Sequence, residues 1–102
     1  MSNGASAGLV AQLARAIRER RIIEFQYRGL PRTVQPLALG LSRGVVEVLG
    51  IQVAGATSSG SLPNWRRFRV EEVTGLRLTS ESFQFQGPLP HTDFDPLIAI
   101  YE

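Results

Sequence analysis

A mostly β domain, with an N-terminal helix followed by five short strands curled into a small barrel, is the fold class this sequence predicts. Three observations predict it. Apolar residues recur at helical spacing between residues 6 and 20, and from residue 22 the period switches to two. The alternating runs that follow are short and separated by glycine-containing turns. A sheet this small removes its exposed edges best by curling on itself.

In residues 6–20, Leu9, Leu13 and Ile17 stand at i, i+4 and i+8, and Val10 joins their stripe. Ser6 can cap the start, and Arg18, Arg20 and Arg21 sit where the helix dipole favours cations. So narrow a stripe should plug an open end of its own domain, with partner docking or dimerisation as the alternative. The next run alternates: Ile23, Phe25 and Tyr27 face one way, and Ile22, Glu24, Gln26 and Arg28 the other. A turn at Gly29-Leu30-Pro31 leads to a strand over about 32–41, with Leu37, Leu39 and Leu41 inward. Pro36 removes a ladder donor there and marks an edge or a bulge. After Ser42-Arg43-Gly44 comes a strand over 45–54 that is apolar on both faces and therefore central.

Residues 55–64 are a loop of small and turn-forming residues, of the kind that binds something or moves. The strand from Trp65 to Val70 follows, then a turn or single helical turn at 71–75 and a fifth strand over 73–79. Phe83 and Phe85 alternate in a short sixth piece. Phe94, Leu97, Ile98 and Tyr101 have helical spacing, although 97–101 suits an added strand equally well. The implied divisions are an N-terminal helix over 1–21, an SH3-like or Sm-like barrel over 22–86 and an acidic C-terminal tail over 87–102.

With 102 residues the chain is one domain with one small core. It has no cysteine, which excludes disulfides and thiolate metal sites. No signal-peptide pattern and no apolar run long enough to span a bilayer are present, so a cytoplasmic protein without membrane contact is expected. Net charge is only +2, but it is unevenly placed. Six Arg between Arg15 and Arg32 face only Glu19 and Glu24, while the stretch from Glu81 onward carries four acids and no base. All eleven basic residues are Arg, the side chain that grips carboxylates and phosphates with a planar fork.

Enzyme chemistry finds little support. His91 is the only histidine; with Asp93 and Asp95 it makes a thin metal site, and a solvated loop position explains it as well. Ser58 and Ser59 have no base beside them, and Gly55 and Gly60 form no nucleotide-binding loop. No cofactor is expected, and the protein is read as a non-enzyme.

The informative stretch is Trp65-Arg66-Arg67-Phe68-Arg69-Val70. As a strand it sends Phe68 and Val70 inward with Arg66, and Trp65, Arg67 and Arg69 outward. An indole beside guanidiniums suits a base and its phosphate. It also suits protein carboxylates, and Glu24, Glu47, Glu71 and Glu72 are candidates. Both alternatives stand open on the sequence.

Three runs in order carry a resemblance: Ile23-Glu24-Phe25-Gln26-Tyr27-Arg28-Gly29, Thr33-Val34-Gln35-Pro36-Leu37-Ala38-Leu39-Gly40, and Trp65 through Val73. Over about residues 15–80 the chain resembles the WYL-domain family. The resemblance implies an SH3-like or Sm-like barrel of the type found in bacterial and phage transcription regulators. It also implies a ligand-sensing role, in several members toward single-stranded nucleic acid, through a basic groove. Tyr27, Arg28, Arg43 and Arg69 fall where the family places polar or basic groove residues, and Arg67 neighbours them. The tripeptide that names the family is replaced by Val48-Leu49-Gly50-Ile51, Glu72 stands in place of an Arg, and the chain holds no helix-turn-helix. The expected ligand site is thus Tyr27, Arg28, Arg43, Trp65, Arg67 and Arg69, binding single-stranded nucleic acid or a small nucleotide-like anion. The alternative is a protein–protein interaction or oligomerisation module, with the N-terminal helix and the 97–101 end as homo-oligomer surfaces.

Overall fold

The computed structural model describes residues 6–56 and 62–102. Helix α1 (Ala7–Glu19) leads into β1 (Arg21–Tyr27), β2 (Leu30–Ser42), β3 (Val45–Gly55) and β4 (Asn64–Arg69). A 3-10 turn at Val70–Glu72 then precedes β5 (Val73–Ser82) and β6 (Leu97–Ile100). The expected binding or moving loop over 55–64 falls largely on residues 57–61, which lie outside the described residues.

The helix begins and ends on local chemistry. Ser6 Oγ accepts the Leu9 N–H at 3.1 Å, a cap worth about 1 kcal/mol. Arg20 takes the left-handed conformation (φ 57°), and its N–H turns back to the carbonyls of Ala16 and Ile17. Leu13, Ala14, Ala16 and Ile17 are buried against β1, β2, β5 and β6, so the helix covers its own domain. Only one face is used, as the narrow stripe predicts.

All strand pairs are antiparallel, in the order β4-β3-β2-β1-β5, with β6 on β2. Strand β2 is the spine. One of its edges carries β3 throughout; the other carries β1 along Leu30–Val34 and β6 along Ala38–Gly40. The expected interior position of β3 holds. Two-residue turns at Arg28-Gly29 and Arg43-Gly44 make the hairpins, with all four residues at positive φ. That is the mirror-image turn whose twist matches the strands, and glycine takes its second position without a Cβ penalty.

Two expectations about the sheet are corrected. Its ladder does not close: β4 and β5 share no pairing, because the 3-10 turn redirects the chain and β5 takes β1 as its partner from Tyr27↔Val73 onward. In place of a ladder, the Tyr27 hydroxyl accepts the Arg69 N–H at 3.0 Å across the gap. The result is a curled, open sheet with six strands rather than a closed five-stranded barrel. Second, Leu37 does not share the inward face with Leu39. The register passes from Pro36↔Gly50 to Ala38↔Leu49, leaving Leu37 as the extra residue of a bulge. It joins a second cluster with Ile22 and Phe83, while Leu39 stays in the main core.

The main core holds Phe25, Tyr27 and Phe68 edge to face, with centroids 4.9–6.4 Å apart. Phe83 and Phe85 form no strand, contrary to expectation. They lie on extended chain over the outer face, where Phe83 stacks on Tyr101 and the Tyr101 hydroxyl accepts the Phe85 N–H at 2.8 Å. The open choice at 97–101 resolves as strand β6. Backbone pairing along β2 decides it, and a Cβ on Gly40 would stand 2.7 Å from that of Phe94, so glycine is required for the approach.

Candidate anion-binding site

Strand β4 alternates as expected, with Trp65, Arg67 and Arg69 exposed and Phe68 buried. Its pairing with β3 sets Trp65 opposite Ile51, Arg67 opposite Leu49 and Arg69 opposite Glu47. Trp65 keeps 42% of its surface exposed and meets Phe85 edge-on at 5.6 Å.

The expected site residues have different fates. The guanidinium of Arg67 is occupied: Nε reaches Glu47 Oε1 at 3.0 Å, Nη2 reaches Asp93 Oδ1 at 2.7 Å, and the plane lies 4.6 Å from the Phe94 centroid. Arg28, on its hairpin tip, pairs with both carboxylate oxygens of Glu72 at 2.7 and 3.2 Å and lies over Tyr27. That pairing lowers the Glu72 carboxyl below its ordinary range. Arg43 stands on the other hairpin tip, at the far end of β2 from Arg28, and is not brought to the others. Tyr27 is buried, its hydroxyl taken by the Arg69 N–H. The Arg69 side chain makes no hydrogen bond or ion pair among the described residues, though its charge helps to lower the Glu72 carboxyl.

Arg32 was not among the expected residues, yet it is the most deeply placed cation. It is 6% exposed, on the β2 face that also carries Val34. Nη1 reaches Gln52 Oε1 at 3.3 Å and Nη2 reaches the Tyr27 carbonyl at 3.4 Å, both long contacts. Nε makes no hydrogen bond. The guanidinium lies 5.5 Å from the Tyr27 centroid and 5.8 Å from that of Phe68. Burial, and then the charge of Arg66, push its pKa down. No carboxylate pairs with it among the described residues. The signal was in the sequence: period two puts Arg32 on the face of Val34, and a cation on a core stripe calls for an anion.

Arg32 lines a concavity of about 370 Å³ together with Arg28, Arg66, Arg67 and Arg69. Among the described residues Glu47 is the one acid on its wall, and the rings of Tyr27 and Phe68 complete it. A separate, smaller hollow of about 290 Å³ shares Arg66 and Arg67 with it and is lined also by Trp65, Leu49 and His91. Guanidiniums with an indole a few residues along one strand can hold an oxyanion and stack a base. Asp93, near His91 in sequence, turns to Arg67 and Ser42 instead. No group of three or more His, Cys, Asp or Glu placed to hold a metal occurs among the described residues.

The tail acid offers a pH reading. Arg67 first, and then the Ser42 hydroxyl at 2.7 Å, hold the Asp93 carboxyl down at about 2. A carboxyl lowered in the folded state stabilises above its unfolded value of ~3.9, and the effect is lost as pH falls through the folded value. The Asp93–Arg67 contact is therefore expected to persist at pH 4 and open as pH approaches 2. A carboxyl-carbon NMR titration reads this directly, and a midpoint near ~3.9 would contradict it.

In comparison with known proteins, the family model for the WYL domain matches residues 8–78. No curated protein and no solved structure matches the chain. No helix among the described residues is long and apolar enough to cross a membrane.

Proposed function

The chain belongs to the WYL-domain family, whose members are generally ligand-sensing regulatory domains, and we propose that it is a non-enzymatic module binding single-stranded nucleic acid or a nucleotide-like anion. The observation that carries this reading is Arg32: a residue only 6% exposed, with no carboxylate paired to it among the described residues, on the wall of a concavity rich in other guanidiniums. A buried charge costs several kcal/mol unless an opposite charge or strong hydrogen bonds compensate it. A bound phosphate supplies both. In this reading Arg32 and Arg69 take the anion, Arg28 and Arg66 shape the field, and Trp65 stacks a base.

Titration of the protein with short single-stranded DNA and RNA across salt concentrations tests it. Affinity should fall linearly on a log–log plot, by about 0.7 per phosphate neutralised. Absence of binding at low salt, or affinity indifferent to salt, would remove the reading.

A second reading has its own observation. Strand β6 pairs on one side with β2, leaves Leu97 45% and Ile100 37% exposed, and lines a groove beside Arg18 of α1. This favours a protein-interaction or homo-oligomer surface. Light scattering that shows a monomer at high protein concentration would count against self-association.

A further inference from the structure

We propose that the concavity is built for a phosphate monoester, the terminal phosphate of a single strand or of a free mononucleotide, rather than for phosphodiesters along a chain. The inference rests on the binding function proposed above and specifies its ligand. Charge is the first argument. Arg28 is already matched by Glu72, and Arg67 by Glu47 and Asp93. Arg32 forms no ion pair with an acid among the described residues, and Arg69 meets Glu72 only through its field, so the forks of both remain open to the oxygens of an anion. A monoester carries about −1.5 to −2 at pH 7 on three free oxygens. A phosphodiester carries one charge on two.

Access is the second argument. Arg32 is the most buried guanidinium of the concavity, so a ligand must project its phosphate inward to meet it. The space, about 370 Å³, is at the small end of ligand pockets, which run roughly 300–1,000 Å³. An internal phosphodiester would need to bring the sugars on both its sides into that space. A chain end brings one. The uncommitted N–H groups of Arg32 and the whole fork of Arg69 then supply charge-assisted bonds to oxygens that only a terminal phosphate presents.

The test uses the full chain and fluorescence anisotropy with one oligothymidylate in three forms: 5′-phosphorylated, 3′-phosphorylated, and hydroxyl at both ends. Thymidine 5′-monophosphate and inorganic phosphate serve as competitors. A phosphorylated form should bind at least about tenfold more tightly than the hydroxyl form. Arg32→Gln or Arg69→Gln should erase that preference, whereas Arg18→Gln, on the outside of α1, should leave it. Competition by the mononucleotide but not by inorganic phosphate identifies a nucleotide source; competition by both identifies the phosphate group alone as the ligand chemistry. Equal affinity for the three forms overturns this inference and leaves the nucleic-acid reading standing. Failure of all three to bind overturns both. A preference that survives both Arg32→Gln and Arg69→Gln overturns the placement in this concavity. Arg69 is exposed and its side chain bonds nothing among the described residues, so its variant keeps the test decisive if Arg32→Gln fails to fold.

Discussion

Arg32→Met is expected to leave the protein as stable as before or more stable, while ligand affinity falls by at least tenfold. Core substitutions usually cost stability, so the sign is the informative part. Arg32 already stands without a carboxylate, and its two hydrogen bonds are long, at 3.3 and 3.4 Å. Replacing it removes the desolvation penalty, against the loss of long contacts to buried Gln52 and the Tyr27 carbonyl and of its cation–π contacts to Tyr27 and Phe68. Replacing buried ionic groups by apolar ones of similar size can stabilise by about 1–4 kcal/mol. Here the guanidinium borders an open concavity and water screens part of its field, which favours the lower end, about 1 kcal/mol. Methionine also fills the slot between Tyr27 and Phe68 with a flexible, polarizable chain. Chemical denaturation gives the stability change, and titration with phosphorylated oligonucleotide gives the affinity. A loss of more than about 2 kcal/mol would show that Arg32 holds the fold together, because a cation of purely structural use would be missed on removal. The anion site would then lose its main support.

What could be read from the sequence follows from the range of the interactions involved. Helix α1, its Ser6 cap and the alternation of β1 and β4 are local patterns, and all were legible. The turn at Arg43-Gly44 was legible, but the sequence reading places the first at Gly29-Leu30-Pro31, whereas the chain turns at Arg28-Gly29 and Leu30 and Pro31 already pair with β1. The bulge at Leu37 was half legible: Pro36 announced an irregularity, but which residue would be extra depends on the register with β3. Strand β6 was ambiguous because Leu97-Ile98-Ala99-Ile100 has no period of its own; its pairing partners lie some 60 residues earlier, in β2.

The site was legible by residue type and illegible by pairing. Arg28 and Glu72 are 44 positions apart, and Arg67 and Asp93 are 26 apart. Glu24, Glu47 and Glu72 are candidate counter-ions on the sequence and each does pair with an Arg, but no local pattern says which one, or that Asp93 joins Glu47 on Arg67. Glu72, which stands where the related pattern has a cation, proves to be the counter-ion of Arg28. The family resemblance groups Arg43 with Arg28, and a strand of 13 residues separates them. Arg32 escaped because alternation was followed through apolar residues only. Applied to every residue of β2, the same rule puts a cation on the core face, and that cation is the more informative signal.

Phe68→Ala is expected to be among the most destabilising single substitutions in the chain, at about 3–5 kcal/mol. Phe68 is 1% exposed and meets Phe25 and Tyr27 edge to face at 5.0 and 4.9 Å. Truncation opens a cavity between three elements and removes two aromatic pairs worth about 0.5–1.5 kcal/mol each beyond their buried area. It also frees the Tyr27 ring, whose hydroxyl holds β4 through the Arg69 N–H where no ladder joins the sheet's ends. In a domain of this size, such a loss approaches the whole stability. Trp65→Ala, three residues earlier on the opposite face, removes a larger side chain that is 42% exposed with a single ring contact, to Phe85. It should cost about 1 kcal/mol or less. Urea denaturation of both variants, read by circular dichroism so that loss of the tryptophan does not remove the signal, compares them at constant m-value. If Trp65→Ala proved the costlier change, the two faces of β4 would be exchanged. Arg67 and Arg69 would then turn inward with the indole, and the concavity that gives Arg32 an anion to meet would not exist.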